Sequence, residues 1–163
     1  MSLVIRAARP EDGAIIFSLV RELAEYEKLT AEVDANEQKI AAVLFAPEPR
    51  VFCNIAEWNG EPAGFALWFL NFSSFRGTHG VFLEDIFVRV AFRRKGIGRA
   101  LLKRLAAHCV ERGYERFEWA VLDWNAPAIA FYRALGAEVL DDWLICRLGG
   151  NALASFALQG DTP

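Results

Sequence analysis

Cysteine, histidine and excess positive charge are all scarce in this sequence, and each shortage removes a class of function. The three cysteines, Cys53, Cys109 and Cys146, lie at scattered spacings within apolar segments. They fit buried free thiols rather than a disulfide framework or a metal-ligand pattern. The two histidines, His79 and His108, cannot complete a zinc site with them at any familiar spacing, so no metal is expected. Lys and Arg number 18 against 21 Asp and Glu, a net charge of −3, which argues against the basic face of a dedicated nucleic-acid binder. No stretch reaches the roughly 18–20 apolar residues of a membrane span. The start MSLVIRAARPEDG has no long apolar run after its first charges, as a signal peptide would. A reducing cytoplasm is the expected location, without nucleic-acid or membrane partners.

What the sequence does hold is apolar surface. Hydrophobic residues make up 54%, with 13 Phe, 5 Trp and 3 Tyr, enough to offset the entropy of ordering a chain. At 163 residues the expectation is one domain with one core, spanning 1–163. Leu3–Ala8 alternates as a short strand, and Pro10, Glu11 and Asp12 mark a helix start, with Ile15, Ile16, Leu19, Val20 and Leu23 at helical spacing to about Leu29. Asn36–Phe45 reads as a second helix. Val51–Trp58 and Pro62–Phe72 read as strands joined by Asn59-Gly60, the preferred pair for a two-residue hairpin turn.

After a loop at Ser73–Gly80 come a strand Val81–Val88 and a helix Ile97–Arg112, whose buried side is expected to hold Leu101, Leu102, Leu105, Ala106, Cys109 and Val110. A strand Arg116–Leu122, a helix Ala126–Leu135 and a last strand Trp143–Leu148 follow, with Ala152–Leu158 left open between strand and helix. The order β-α-α-β-β-β-α-β-α-β specifies an α/β or α+β domain, a mixed sheet with helices packed over it.

The chemistry concentrates where the strand ending Leu83-Glu84-Asp85-Ile86-Phe87-Val88 runs into Arg93-Arg94-Lys95-Gly96-Ile97-Gly98. A helix start offers unpaired N–H groups and the positive end of the macrodipole, and glycine lets an anion approach closely. Arg93, Arg94, Lys95 and Arg99 add positive charge. A Walker loop would need Gly-Lys-Ser/Thr, and a dinucleotide fingerprint would need a third glycine where Leu101 stands. Both are excluded. Downstream, Asn125 is placed to cap a helix with Pro127 in its first turn; Phe131 reads as core, whereas the Tyr132 hydroxyl requires a partner.

Together, Arg93-x-x-Gly96-x-Gly98 and Trp124-Asn125-x-Pro127…Tyr132 resemble the acyl-CoA segments of the GNAT N-acetyltransferase superfamily. Closer still, Ile5-Arg6-Ala7-Ala8, Glu22–Leu29 with its Tyr26-Glu27 pair, and Leu83-Glu84-Asp85 resemble the diamine acetyltransferase subgroup, which includes spermidine/spermine and thialysine N-acetyltransferases. The sequence departs from that subgroup in its tight Asn59-Gly60 turn and in a short Glu138–Trp143 segment, which leaves open which of Asp141 and Asp142 matches the family's acidic residue.

The resemblance implies a GNAT-like, mostly antiparallel central sheet flanked by helices, acetyl-CoA as cosubstrate, and commonly a homodimer. It implies coenzyme contacts at Ile86, Phe87 and Val88, at Arg93, Arg94, Lys95, Gly96, Ile97, Gly98 and Arg99, and at Asn125, Ala126, Pro127, Ala128 and Tyr132. It also puts Tyr26, Glu27, Glu84, Glu118, Trp119 and Ala120 near a small amine substrate. An alkylamine with a pKa of about 10 must lose a proton before attacking a thioester. Glu84 is the candidate for amine recognition and, through water, proton removal; Tyr132 is the candidate acid for the departing thiolate. As strand neighbours, Glu84 and Asp85 are expected on opposite faces, so both cannot serve directly. Two other functions remain open from the residues: a non-catalytic acyl-CoA-binding or sensor domain, and acetylation of a protein N-terminus or lysine.

Overall fold

The computed structural model describes residues 2–159. In it the alternating segment near the N-terminus forms strand β1 (Leu3–Ala7), followed by helices α1 (Gly13–Glu27) and α2 (Glu37–Leu44). Strands β2 (Val51–Trp58), β3 (Glu61–Ser73) and β4 (Thr78–Val88) come next, then helix α3 (Ile97–Arg112), strand β5 (Phe117–Trp119), and helices α4 (Ala126–Ala134) and α5 (Gly150–Ala157). The strands form one sheet in the order β1-β2-β3-β4-β5, antiparallel throughout except for the parallel β4–β5 pair. This is the mixed, mostly antiparallel sheet expected of the sequence. The chain divides into two compact units, Met1–Ala120 and Val121–Pro163.

Local chemistry explains the elements of the first unit. Asn59 and Gly60 both take positive φ, 51° and 84°, as a tight hairpin turn demands. The Asn36 side chain accepts from the Lys39 N–H at 2.8 Å and caps α2. Helix α1 stops at Glu27, short of the expected Leu29, because Lys28 turns left-handed at φ 61° and closes the last turn. Asp12 serves less as a helix-dipole charge than as a partner for Arg6, whose guanidinium donates to both its oxygens at 2.7 and 2.9 Å. That pairing holds the Asp12 carboxyl below its usual range.

The sheet is apolar on both faces. Toward α1 and α2, Ile16, Leu19, Leu23 and Leu44 pack with Cys53, Ile55, Phe65 and Phe87. On the other face α3 buries Ile97, Leu101, Leu102, Leu105 and Cys109. Ala106 and Val110 were expected there too, but both are exposed, Val110 at 80%; each residue turns about 100° around the helix, which carries these two off the Leu101–Leu105–Cys109 stripe. Arg89, just past β4, ties the strand to α1. It donates to Glu22 at 2.7 Å, to Ser18 Oγ at 3.0 Å and to the Pro62 carbonyl at 2.9 Å, and it holds Glu22 ionised to lower pH.

Several boundaries differ from expectation. Half of the loop expected at Ser73–Gly80 is strand, because β3 and β4 pair from Ser73↔Thr78 onward and leave a four-residue turn. The strand expected at Arg116–Leu122 is only Phe117–Trp119, the length over which β4 offers a partner. Trp143–Leu148 has strand-like composition but forms no strand, since strand residues need a ladder and none pairs there among the described residues. Cys146 is consequently exposed, unlike Cys53 and Cys109. The open segment Ala152–Leu158 resolves as helix α5. Phe131 is also no core residue; its ring meets Tyr132 at 5.5 Å yet it stays 37% exposed.

Gly64 sets how closely β3 approaches β4. A Cβ there would collide with the Phe87 carbonyl oxygen and lie 3.2 Å from Val88 Cα. Gly64→Ala should therefore lower unfolding stability by about 1–3 kcal/mol or more, as overpacking does. Urea melts of the two proteins would measure it, and an unchanged midpoint would show that the strands can separate freely.

Candidate active site

Helix α3 opens with Gly96 as its N-cap at φ 77°, and no atom lies within 4 Å of where a Cβ would stand. Arg94 is also left-handed, at φ 63°. The first hydrogen bond across the helix start is Ala100 N–H to Gly96 carbonyl at 3.0 Å, so the preceding N–H groups face outward for an anion. Ile97 anchors this turn from beneath, 1% exposed.

The four cations of the loop divide into two pairs. Arg93 donates through Nε to the Val88 carbonyl at 3.0 Å and lies 4.6 Å over the Tyr26 ring. Lys95 sits 5.0 Å over the Trp58 ring. Arg94 and Arg99 are exposed and make no ion pair among the described residues. Sequence spacing could not separate these pairs, because stacking on an aromatic face leaves no mark on it.

Strands β4 and β5 pair only from Val81↔Phe117 to Leu83↔Trp119. Beyond Leu83, no strand among the described residues pairs with the β4 edge through Ile86, Phe87 and Val88 on that side. At the same point β4 carries a bulge. Asp85 stands opposite Leu67 and Leu83 opposite Trp68, leaving Glu84 without a counterpart on β3.

The bulge interrupts the regular alternation from which opposite faces were expected for Glu84 and Asp85. Trp68 touches His108 of α3, so Leu83 opposite it lies on the α3 face. Leu67 packs in the α1-side core, so Asp85 opposite it lies on the α1 face. Leu83 and Asp85, two residues apart, therefore face opposite sides, and the alternation breaks once at Glu84. Asp85 lies on the α1 face, where the charges of Glu84 and of Glu27 at the end of α1 act on it.

Electrostatics agree with that placement. Burial first, then the charges of Glu84 and Glu27, raise the Asp85 pKa to about 6. Burial also raises Glu27. Asp85 was not singled out from the sequence; the Glu84-Asp85 doublet was the available signal, but the bulge that gives it meaning was not visible. Glu118, expected near substrate, accepts from Asn71 Nδ2 at 2.8 Å and lies 2.9 Å from Arg116 Nε. Trp119 packs on Phe117 with ring centroids 4.9 Å apart, and Ala120 is exposed.

In the second unit, Asn125 is buried and its Oδ1 accepts from the Ala128 N–H at 3.3 Å, capping α4. Pro127 lies in the first turn and Tyr132 near the helix's middle, half-buried. No group of three or more metal-ligating side chains occurs among the described residues, and no helix among them is long and apolar enough to cross a membrane.

A helix start of this kind, opening directly off a strand edge, suits the pyrophosphate and amide chain of coenzyme A, and it places the protein in the acyl-CoA acyltransferase class. Residues 14–137 match the acetyltransferase (GNAT) family. The chain belongs to that family, and its reaction is acetyl transfer from acetyl-CoA. A thialysine N-epsilon-acetyltransferase of Bos taurus is 36% identical, over 95% of this chain and 97% of that one. An L-ornithine N5-acetyltransferase of Arabidopsis thaliana is 34% identical, over 93% of this chain and 86% of that one. Among solved structures, an integron cassette protein from the mobile metagenome of V. cholerae matches with TM-score 0.82 and 26% identity, covering 98% of this chain and 99% of that one.

A raised carboxyl pKa destabilises the fold where the group is ionised. Asp85 titrates near 4 when unfolded and at about 6 when folded, so the folded state holds the extra proton between those values. Stability then falls as pH rises through that window. Asp85→Asn removes the buried charge and should gain on the order of 2–3 kcal/mol at about pH 7.5, with the gain closing toward about pH 4. Melting curves at both pH values test this; a gain independent of pH would place its origin outside the Asp85 charge.

Proposed function

We propose that this acetyltransferase, with residues 1–163 acting as one domain, acetylates the primary amine of a small cationic substrate: a diamine, a polyamine or a thialysine-like amino acid. The observation that carries this reading is the acidic cluster at the β4 bulge, where Asp85 lies on the α1 face and the charges of Glu84 and Glu27 are close enough to act on it. Such a cluster admits a cation and selects against an acidic acceptor. Thialysine and ornithine, the substrates in the names of the two curated relatives, are both amino acids with a second, terminal amine.

Acetyl-CoA supplies the activated acetyl thioester. The exposed Arg94 and Arg99 and the outward N–H groups of Gly96, Ile97, Gly98 and Arg99 hold its pyrophosphate, while Arg93 and Lys95 brace the loop from their aromatic seats. The β4 edge at Ile86–Val88 hydrogen-bonds the amide chain, and Asn125–Ala128 supply further coenzyme contacts. Tyr26, Glu27, Asp85 and Glu84 receive the ammonium, with Glu118, Trp119 and Ala120 lining the approach. Glu84 takes the amine proton through water, the neutral amine attacks directly, and Tyr132 protonates the departing sulfur. No covalent enzyme intermediate is required. A cytoplasmic homodimer is part of the proposal; the free cysteines suit a reducing compartment, and the exposed Trp143, Leu144 and Ile145 offer apolar surface to a second copy.

Initial rates with acetyl-CoA against putrescine, spermidine, thialysine, lysine and a short peptide test the substrate class. Small diamines or thialysine should be preferred; a preferred peptide would overturn the proposal. For the best amine, KM should rise as pH falls through about 6 and Asp85 loses its charge.

Glu84→Gln should retain coenzyme affinity and lose about 10²-fold or more in kcat/KM. A loss well below tenfold would leave Glu84 a structural carboxylate. Tyr132→Phe keeps the ring and should lower kcat by about 10²-fold with CoA binding near normal; unchanged turnover, in a variant whose melting curve shows it folded, would remove the tyrosine from the chemistry.

A further inference from the structure

A cavity of about 230 Å³ opens between the end of α2 and α3 at the β1–β2 side of the sheet, away from every residue proposed for acetyl transfer. The ends of β1 and α2 bound it on one side and the third turn of α3 on the other, with Phe52, Asn54 and Trp68 at its base. Arg104 of its wall is seven residues beyond the start of α3, so it stands roughly 10 Å along the helix from the pyrophosphate loop.

Its polar groups have one chemical sense. Asn54 is 9% exposed, and its Oδ1 accepts from the Trp68 indole N–H at 2.9 Å. That bond fixes the amide plane and turns the Nδ2 donors the other way, where no hydrogen bond to the described residues satisfies them. These donors are not sealed from solvent, so water reaches them from the cavity and an acceptor brought by a ligand can replace that water. Arg104, also on the wall, is exposed and makes no ion pair among the described residues. None of the described residues lining the cavity is acidic.

The rest of the lining is apolar and flat. Trp68 stacks on Phe52 with ring centroids 4.6 Å apart and meets His108 at 5.0 Å. The volume falls below the roughly 300–1,000 Å³ of drug-sized ligand sites, so a small occupant fits.

We propose that this cavity is a second binding site, for a small monocarboxylate with a flat apolar body. The carboxylate takes the Asn54 Nδ2 donors and the Arg104 guanidinium, and the body lies against Trp68. Because the site is bounded by the helix whose first turn binds the coenzyme, the enzyme carries a place where a small acid can be sensed apart from substrate.

The test is a titration of CoA-saturated protein with sodium benzoate, followed by amide and indole N–H resonances, with benzyl alcohol as the uncharged control. Saturable binding at millimolar benzoate is expected, moving the Trp68 indole and Asn54 side-chain signals, with benzyl alcohol about tenfold weaker. Arg104→Gln, an exposed substitution, should weaken benzoate about tenfold and leave benzyl alcohol unchanged. Ala7→Trp at the exposed mouth should abolish the Trp68 shift while the protein stays folded. Absence of saturation, shifts confined to other residues, or equal affinity for benzoate and benzyl alcohol would overturn the proposal.

Discussion

One residue more on β4 than β3 can pair shapes everything around the site. By bulging at Glu84, the strand turns Asp85 to the α1 face although Leu83, two residues earlier, faces α3. At the same level the pairing with β5 ends at Leu83, and no other strand among the described residues pairs with the following stretch of β4 on that side. The bulge and the end of the β5 ladder thus fall together, and the Arg89 clamp on Glu22, Ser18 and Pro62 holds the end of that strand in place.

The cost of the arrangement falls on Asp85. Its neighbours are a hydrophobic core and two like charges, which is why its pKa rises to about 6. A core position that a neutral residue would fill more stably is occupied by an acid, the kind of local inconsistency that functional sites tolerate. The loop before α3 resolves its own electrostatic problem differently. Four cations in seven residues repel one another; seating Arg93 on Tyr26 and Lys95 on Trp58 gives two of them aromatic partners and leaves Arg94 and Arg99 outward.

Local chemistry was legible from the sequence and long-range registration was not. Asn59-Gly60, the Gly96 helix start, the Asn125 cap and the span of α3 each follow from a few adjacent residues, and each stands where the spacing put it. The bulge depends on which residues of β3 lie opposite β4, a pairing that adjacent residues cannot specify. Trp143–Leu148 shows the complementary failure. Its composition favours a strand, yet a strand exists only with a partner, and β propensity mainly measures fit to a neighbouring surface. Val110 and Phe131 were assigned inward on apolar character alone, although apolar side chains are common on protein surfaces.

The two charged regions of the proposed site have opposite sign and must remain separate to serve different ligands. The basic helix start would hold a polyanion, and the acidic cluster would hold a cation. Arg93 lies between these demands: it belongs to the loop by sequence, yet its guanidinium rests against Tyr26 and Phe87, the rings nearest the acidic face. Its Nε–H donates to the Val88 carbonyl. Arg93 thus forms a joint between α1 and β4. Without that joint, Tyr26 and Glu27 would be set only by the end of α1, where a left-handed Lys28 already terminates the helix. Rigidity at this point matters because amine and thioester must meet within a fraction of an ångström of their reacting geometry.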